Sequence, residues 1–155
     1  MTRTIGIIFV CHGNFCRSPM AEAVFAHIVQ ECGLAGQFRI DSAGISSRHV
    51  GEQPDERSVA CCKRHGVAVE CRARLVTADD FNNFDYVLCM DKQKLSNLEN
   101  IQPKNARATL KLLGEYDPEG PCIIEDPYNG GEDGFETNFQ QVTRCSHAFL
   151  ESLSF

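Results

Sequence analysis

A cysteine, five loop residues and an arginine stand near the start of the chain, and their spacing is suited to nucleophilic chemistry on a bound anion. Cys11 ends a short apolar, β-branched run, and Arg17 stands where a helix is expected to begin. If the loop between them curls, its backbone N–H groups and the helix N-terminus form an anion cradle. The guanidinium of Arg17 can hold two oxygens of a phosphate in a planar fork. The predicted phosphate-binding loop consists of His12, Gly13, Asn14, Phe15, Cys16 and Arg17.

The positive field of this loop favours the thiolate of Cys11, which is the reactive form of a cysteine. The hydroxyl of Ser18 could donate a hydrogen bond to that thiolate. Gly13 and Asn14 are residue types that adopt positive φ readily, as a curled loop requires. A buried cysteine and a surface arginine would be the alternative interpretation. The complete string between a strand and a helix instead favours a cysteine nucleophile aimed at phosphorus.

Such a reaction needs an acid that protonates the leaving group. The candidate is Asp126, which lies in the segment Glu125-Asp126-Pro127-Tyr128 of a long loop near the C-terminus. An Asp-Pro pair most often forms a surface turn. Opposite an anion cradle, however, Asp126 is expected to act as the general acid, with an aromatic side chain two residues away.

The elements that must position these residues alternate along the chain. Apolar runs predict strands over residues 4–11, 38–42, 85–90 and 108–113, and helices are expected over 19–32, 55–64, 92–100 and 135–153. A short helical turn is expected over 79–84, capped by Thr77. Alternating strands and helices predict a parallel sheet with helices on both faces. Ligands of such sheets bind beyond the carboxyl ends of the strands, which the polar loops 45–54 and 114–134 could reach.

Composition limits the class of protein. The chain has 155 residues, 43% of them hydrophobic, and a formal net charge of −6, which suit one globular domain and disfavour nucleic-acid binding. The longest apolar run is too short to cross a membrane and no signal-peptide pattern is present, so a cytoplasmic protein is expected. A monomer is expected as well. Nine cysteines without a C-x-x-C pair favour reduced thiols over a zinc ribbon. Neither a cofactor nor a metal is expected.

The chain as a whole resembles the low-molecular-weight protein tyrosine phosphatases. The resemblance rests on motifs in the family's order and spacing, namely VCHGNFCRSPMAEAVF, DSAG, HVGEQPDERS, FDYVLCMD, LLGEYDP, IIEDPY and FETNFQQVTRC. It implies a three-layer α/β, flavodoxin-like fold with a four-stranded parallel sheet, as one catalytic domain over residues 1–155. It also implies hydrolysis of phosphotyrosine proteins or peptides and of aryl phosphates through a phosphocysteine, with inorganic phosphate or vanadate as inhibitors.

Carried over position by position, the resemblance assigns roles to the chemical groups. Cys11 would be the nucleophile, and Arg17 would bind phosphate and stabilise the transition state. Asp126 would act first as general acid and then as general base. Ser18 would support the thiolate.

The same resemblance assigns roles to the surroundings of the nucleophile. Asn14 and Ser42 would hold the shape of the loop. Cys16 would pair with an oxidised Cys11 and so protect it from irreversible oxidation. Tyr128 would form a wall of the slot for the aromatic ring of the substrate.

Three positions depart from the family's pattern. Asn129 stands where a second aromatic residue usually follows Tyr128, and Arg48 stands where many members have a tryptophan. A substrate slot formed by Tyr128, Asn129 and Arg48 is expected to be more open and polar, and Arg48 could favour acidic residues beside the phosphotyrosine. Cys71 replaces a histidine that supports the loop, which leaves the loop's stiffness open. His12 could either support the thiolate or point to solvent.

Two other functions remain to be weighed. An arsenate reductase of the same fold would use additional cysteines as a relay, but Cys89 lies within a predicted buried strand and the Asp-Pro-Tyr motif favours a phosphatase. A binding module for phosphotyrosine that has lost catalysis would require that the change at Cys71 spoils the loop. The presence of all four chemical groups favours the enzyme over both alternatives.

Overall fold

The apolar run at the start of the chain forms the first strand of a parallel sheet. The computed structural model of the protein describes residues 4–120, 122–128 and 130–154. The four strands are β1 (Ile5–Cys11), β2 (Phe38–Gly44), β3 (Tyr86–Cys89) and β4 (Thr109–Leu112). Their order across the sheet is β2-β1-β3-β4, and every neighbouring pair is parallel. The predicted four-stranded parallel sheet is therefore confirmed.

Helices cover both faces of this sheet and complete a three-layer, flavodoxin-like α/β fold. The helices are α1 (Arg17–Glu31), α2 (Glu56–Arg64), α3 (Asp80–Asn83), α4 (Lys92–Ile101) and α5 (Glu132–Ser152). Short 3₁₀ helices cover Ala35–Gln37 and Leu113–Tyr116. Within the described part of the chain, none of these helices has the length and apolar character that crossing a membrane requires.

The alternation of side chains along β1 divides the core in two. Ile7 and Phe9 face the side on which α1, α2 and α5 pack, whereas Ile8 and Val10 face α3 and α4. All four side chains are fully buried, because successive residues of a strand point to opposite faces. Burial of each such side chain contributes about 1.5–3 kcal/mol. The strand that ends at Cys11 is thus held from both sides.

Several boundaries and caps differ from those expected; strand β2, for example, extends to Gly44 rather than ending at residue 42. Helix α1 begins at Arg17 rather than at residue 19, and Pro19 is tolerated at its third position because the first four N–H groups of a helix have no intrahelical partner. The predicted Thr77 cap is wrong: the backbone N–H of Thr77 instead donates to the carboxylate of Asp80, at 2.7 Å. Helix α5 begins at Glu132, three residues before the apolar stripe that identified it.

The carboxyl ends of β1 and β2 lie side by side, with Cys11 paired to Gly44. A Cβ atom on Gly44 would lie 2.7 Å from both the backbone nitrogen of Asn14 and the carbonyl carbon of Gly13. The end of β2 therefore supports the loop after β1 by direct contact between backbones, and only glycine leaves room for it.

Substitution of Gly44 by alanine is expected to displace this loop. Overpacking of a close contact costs about 1–3 kcal/mol of unfolding free energy, which urea denaturation would measure. Gly36→Ala is the matched control, because a Cβ there meets nothing within 4 Å. Equal stabilities of the two variants would contradict the proposed backbone contact.

Candidate active site

A buried asparagine fixes the loop between β1 and α1. Asn14 has a φ of +55°, and its side chain is fully buried. Its amide nitrogen donates to the hydroxyls of Ser18 and Ser42, both at 2.9 Å, and its amide oxygen accepts from the backbone N–H of Arg74 at 3.0 Å. One side chain thereby ties the loop to α1, to β2 and to the segment that follows α2.

Cys11 lies at the bottom of this loop. Its sulfur is 3.0 Å from the hydroxyl oxygen of Ser18, and the residue is 3% exposed. The oxygen of Ser18 accepts from Asn14, so its hydroxyl hydrogen can point either at the sulfur or at the carbonyl of Ala43, which is farther away at 3.4 Å. The geometry permits a hydrogen bond that stabilises a thiolate.

The guanidinium of Arg17 is buried and held by an acidic partner that the sequence did not single out. One nitrogen donates to the carboxylate of Asp91 at 2.9 Å and to the carbonyl of Ile124 at 2.8 Å. Burial alone would raise the pKa of Asp91, but hydrogen bonds from Lys94 N–H and Arg17 outweigh it and keep that pKa below its ordinary value. Asp91 directly follows β3, so its position at the carboxyl edge of the sheet is the signal that could have identified it.

Asp126 reaches the same place from the long loop near the C-terminus. Its carboxylate is 3.7 Å from the second terminal nitrogen of Arg17, and its side chain is 49% exposed. The same carboxylate accepts from the backbone N–H of Tyr128 at 3.0 Å, which fixes its orientation. Arg57, in the first turn of α2, donates to the carbonyl of Tyr128 at 2.8 Å and so anchors this segment.

These groups open into one pocket with aromatic walls. The ring of Phe15 stacks on that of His49 with 3.9 Å between centroids, and the ring of Tyr128 lies edge-on to Phe15 at 6.0 Å. The guanidinium of Arg48 lies 5.7 Å from the centre of the Tyr128 ring. The pocket is lined by Cys11, His12, Gly13, Phe15, Cys16, Arg17, Arg48, His49, Asp126 and Tyr128. Sequence reasoning missed His49, although it stands next to Arg48 in the loop expected to reach this edge.

The structure settles the conformation of two predicted loop residues. Gly13 does not adopt positive φ; instead a Cβ there would lie 2.9 Å from the ring of His49, so its small size makes room for the stacked rings. His12 is exposed, which agrees with the solvent-facing alternative. Asn129 lies outside the described residues.

Cys16 is buried beside the carboxylate of Asp55, to which its thiol donates at 3.6 Å. Burial and the charge of Asp55 raise the pKa of Cys16 far above its ordinary value. Cys16 therefore stays a neutral thiol, in the same loop as Cys11. Asp55 was not identified from the sequence as part of the site.

Behind the loop, the carboxyl of Glu22 and the thiol of Cys71 both lie next to the hydroxyl of Ser42. The hydroxyl of Ser42 lies 2.5 Å from a carboxylate oxygen of Glu22 and 4.0 Å from the sulfur of Cys71. Burial raises the pKa of Glu22 to about 7 and that of Cys71 to about 12. At neutral pH, the polar network behind the loop thus contains a neutral thiol and a carboxyl near its midpoint of ionisation.

Glu22→Gln is expected to change the dependence of stability on pH. Because the pKa of Glu22 rises from 4.5 to about 7 on folding, its contribution is fully present below pH 4.5 and is lost as the pH rises towards 7. The unfolding free energy of the unmodified protein should fall relative to the variant across this window, by up to about 1.4 kcal/mol per pH unit. Urea denaturation at several pH values would measure the difference. The exposed Glu151→Gln variant is the control, and parallel curves for all three proteins would refute the assignment.

Comparisons with known proteins agree with this geometry. A family model described as low molecular weight phosphotyrosine protein phosphatase matches residues 6–154. The phosphatase of that name from Sus scrofa is 47% identical over 152 residues, which cover 97% of this chain and 96% of that protein.

Two solved structures cover almost the whole chain. A protein tyrosine phosphatase from Entamoeba histolytica has a TM-score of 0.93 and 32% identity, with 97% of each chain covered. A Drosophila arginine phosphatase has a TM-score of 0.91 and 36% identity, with 96% of this chain and 98% of that chain covered.

The match extends over nearly the full length of the chain at 47% identity. The same chain has the loop between β1 and α1, Arg17 and Asp126 gathered in one pocket. The chain belongs to the low molecular weight phosphotyrosine protein phosphatase family, whose members are hydrolases of phosphate monoesters.

Proposed function

We propose that this protein hydrolyses phosphotyrosine in proteins or peptides, with Cys11 as nucleophile, Arg17 as phosphate ligand and Asp126 as general acid and base. The observation that carries the proposal is the convergence of these three side chains, from the end of β1, the start of α1 and the C-terminal loop, on one pocket. The hydroxyl of Ser18, 3.0 Å from the sulfur of Cys11, is placed to donate to that sulfur as it attacks and later leaves.

In the first step, the sulfur of Cys11 attacks phosphorus while the bond to the phenolic oxygen breaks. Arg17 is held by Asp91, so it can present its remaining N–H groups to two phosphate oxygens without rearrangement. Asp126, on the open side of the pocket, gives its proton to the departing phenolate. The products are a phosphocysteine and the dephosphorylated tyrosine.

In the second step, the carboxylate of Asp126 takes a proton from a water molecule that attacks the phosphocysteine. The phosphorus–sulfur bond breaks, inorganic phosphate forms, and Cys11 returns to the thiolate. Ser18 stabilises the sulfur as it leaves, since its hydroxyl is 3.0 Å away. Inorganic phosphate and vanadate are proposed to inhibit by occupying the same loop.

The walls of the pocket support an aryl phosphate as the substrate. Phe15, His49 and Tyr128 form an aromatic slot above Cys11. Arg48, beside Tyr128, places a positive charge at the rim, which favours acidic residues next to the phosphotyrosine. We place Asn129 in the same slot on the strength of its neighbour in the sequence.

The remaining parts of the proposal concern oxidation and environment. Cys16 is proposed to form a disulfide with Cys11 once peroxide has converted Cys11 to a sulfenic acid, with loss of water. Because Cys16 is a neutral thiol, this step is expected to be slower than with a thiolate.

The nine free cysteines support a reducing, cytoplasmic location. A monomer is proposed.

A reductase relay finds no support in the position of Cys89. That residue is fully buried in β3 and faces the core formed with α3 and α4, away from the pocket that contains Cys11. An inactive binding module is disfavoured because the chemical groups are assembled.

Hydrolysis of para-nitrophenyl phosphate by the reduced protein, without added metal, tests the proposed function. Turnover from acid to neutral pH is expected in the unmodified protein and should vanish in Cys11→Ser, because the hydroxyl is a far weaker nucleophile than the thiolate. Cys32→Ser, at an exposed site outside the pocket, should keep full activity. An inactive unmodified protein that still binds vanadate would favour the binding module, and activity in Cys11→Ser would overturn the proposal. Phosphoarginine, tested in parallel, would show whether the aryl group is required.

Asp126→Ala is expected to lower turnover by roughly 10²–10⁴-fold. The loss should be largest for phenols that are poor leaving groups, since these depend most on protonation. Steady-state rates over a series of substituted phenyl phosphates would measure this dependence. Glu125→Ala removes the neighbouring exposed carboxylate as a control. An unchanged pH–rate profile in Asp126→Ala would remove Asp126 from the proposed role.

A further inference from the structure

Away from the pocket, the last turn of α2 and the first half of α5 bring together three side chains that can bind a metal ion. These are Cys61, His65 and Glu136. The sulfur of Cys61 lies 3.8 Å from one carboxylate oxygen of Glu136, and Nε2 of His65 lies 3.0 and 2.9 Å from the two oxygens. All three ligand atoms lie within 4.8 Å of one another. We propose that Cys61, His65 and Glu136 form a binding site for a zinc ion.

Two distances, 3.8 Å from sulfur to carboxylate oxygen and 2.9 Å from imidazole nitrogen to carboxylate oxygen, lie on either side of the spacing in a tetrahedral zinc site, and the sulfur lies no more than 4.8 Å from Nε2. Zinc binds sulfur at about 2.3 Å and nitrogen or oxygen at about 2.0–2.2 Å, which places neighbouring ligand atoms about 3.3–3.6 Å apart. Cys61 and His65 are four residues apart, so they project from the same side of α2 and its C-cap. Small adjustments of side chains are sufficient for binding.

Packing fixes the orientation of two of the ligands before a metal binds. The imidazole of His65 stacks on the ring of Phe139, with 4.0 Å between centroids and 11° between planes. Gln140, which is not a proposed ligand, donates to the carboxylate of Glu136 at 2.7 Å. Hydrogen bonds of this kind orient the carboxylates that bind metal ions. The sulfur of Cys61 is held in the core, whereas His65 and Glu136 are partly exposed, so an ion can enter from solvent.

The chemistry of the ligands selects zinc. A thiolate excludes magnesium and calcium, which require oxygen ligands, and a thiolate, an imidazole and a carboxylate together suit zinc. The charges of one thiolate and one carboxylate neutralise the divalent ion. Binding converts the thiol of Cys61 to a thiolate and releases its proton to the buffer.

This site lies at the opposite end of α2 from the catalytic pocket. The first turn of α2 carries Arg57, which anchors Tyr128, and Ser58, which donates to the carbonyl of Cys16 at 3.0 Å. Its last turn carries the proposed zinc ligands, which would join α2 to α5. A bound ion would therefore fix the helix that supports the catalytic loop, without contact with substrate.

Cobalt and zinc titrations of the reduced full chain test the proposal in a Cys11→Ser background, which removes the nucleophile as a competing thiolate. Cobalt should bind one equivalent and give a thiolate-to-cobalt charge-transfer band that zinc abolishes. Cys61→Ala should remove the band. His65→Gln removes a ligand, so it should weaken zinc binding by more than the roughly 10–100-fold that is typical when a group that only orients a ligand is lost. Zinc should also raise the melting temperature of the parent but not that of His65→Gln.

Two variants of matched chemistry serve as controls. Cys62→Ala removes the adjacent buried thiol of the same helix. His27→Gln breaks a His–Glu pair on α1 with the same 2.9 Å contact, which among the described residues belongs to no group of three possible metal ligands. Both should bind zinc like the parent. Undiminished affinity in His65→Gln, or a cobalt band that survives Cys61→Ala, would overturn the proposal. His65 is at the surface, so its variant remains informative even if Cys61→Ala does not fold.

Discussion

The catalytic loop depends on the hydrogen bonds of one buried amide. Asn14 adopts a left-handed backbone conformation, and its side chain satisfies both the amide nitrogen and the amide oxygen within the protein. A buried polar group that loses its partner costs about 1–3 kcal/mol, so the arrangement is either complete or strongly unfavourable. The loop therefore has one shape, in which Ser18 is placed against Cys11 and the end of β2 lies under the backbone.

Electrostatics sets a second constraint. Arg17 is buried, and a buried cation requires a partner, which Asp91 supplies from the end of the neighbouring strand. Asp126 approaches the same guanidinium from the open side at a longer distance and remains half exposed. The two carboxylates thus differ in setting: Asp91 holds the arginine in place, and Asp126 remains accessible from the open side, as its proposed role as acid and base requires.

Much of this could be predicted from the sequence, because the decisive signals are local. A β-branched run, a C-x5-R string and a helix-forming segment follow one another, and they predicted β1, the loop and α1 to within two residues. Asp91, Asp55 and His49 were missed because their roles come from tertiary contacts with Arg17, Cys16 and Phe15. Position in the chain places Asp91 and His49 near the carboxyl edge of the sheet, but it does not reveal which side chain each one contacts. The expectation of a positive φ at Gly13 was wrong for the same reason: what requires a glycine there is the ring of His49, which belongs to another loop. Thr77 was taken for a cap because local propensity does not reveal that the Asp80 side chain turns back towards it.

The position of β1 also orders events during synthesis. The strand that ends in Cys11 leaves the ribosome well before its partners in the sheet: Ile7 pairs with Ile40 on one side and with Tyr86 on the other. The helix that covers one face of the strand together with α1 comes last, over Glu132–Ser152. Contacts so distant in sequence form slowly, because chain entropy must be lost before they contribute. The pocket that contains Cys11, Arg17 and Asp126 therefore forms only after residues far along the chain from β1 have been made.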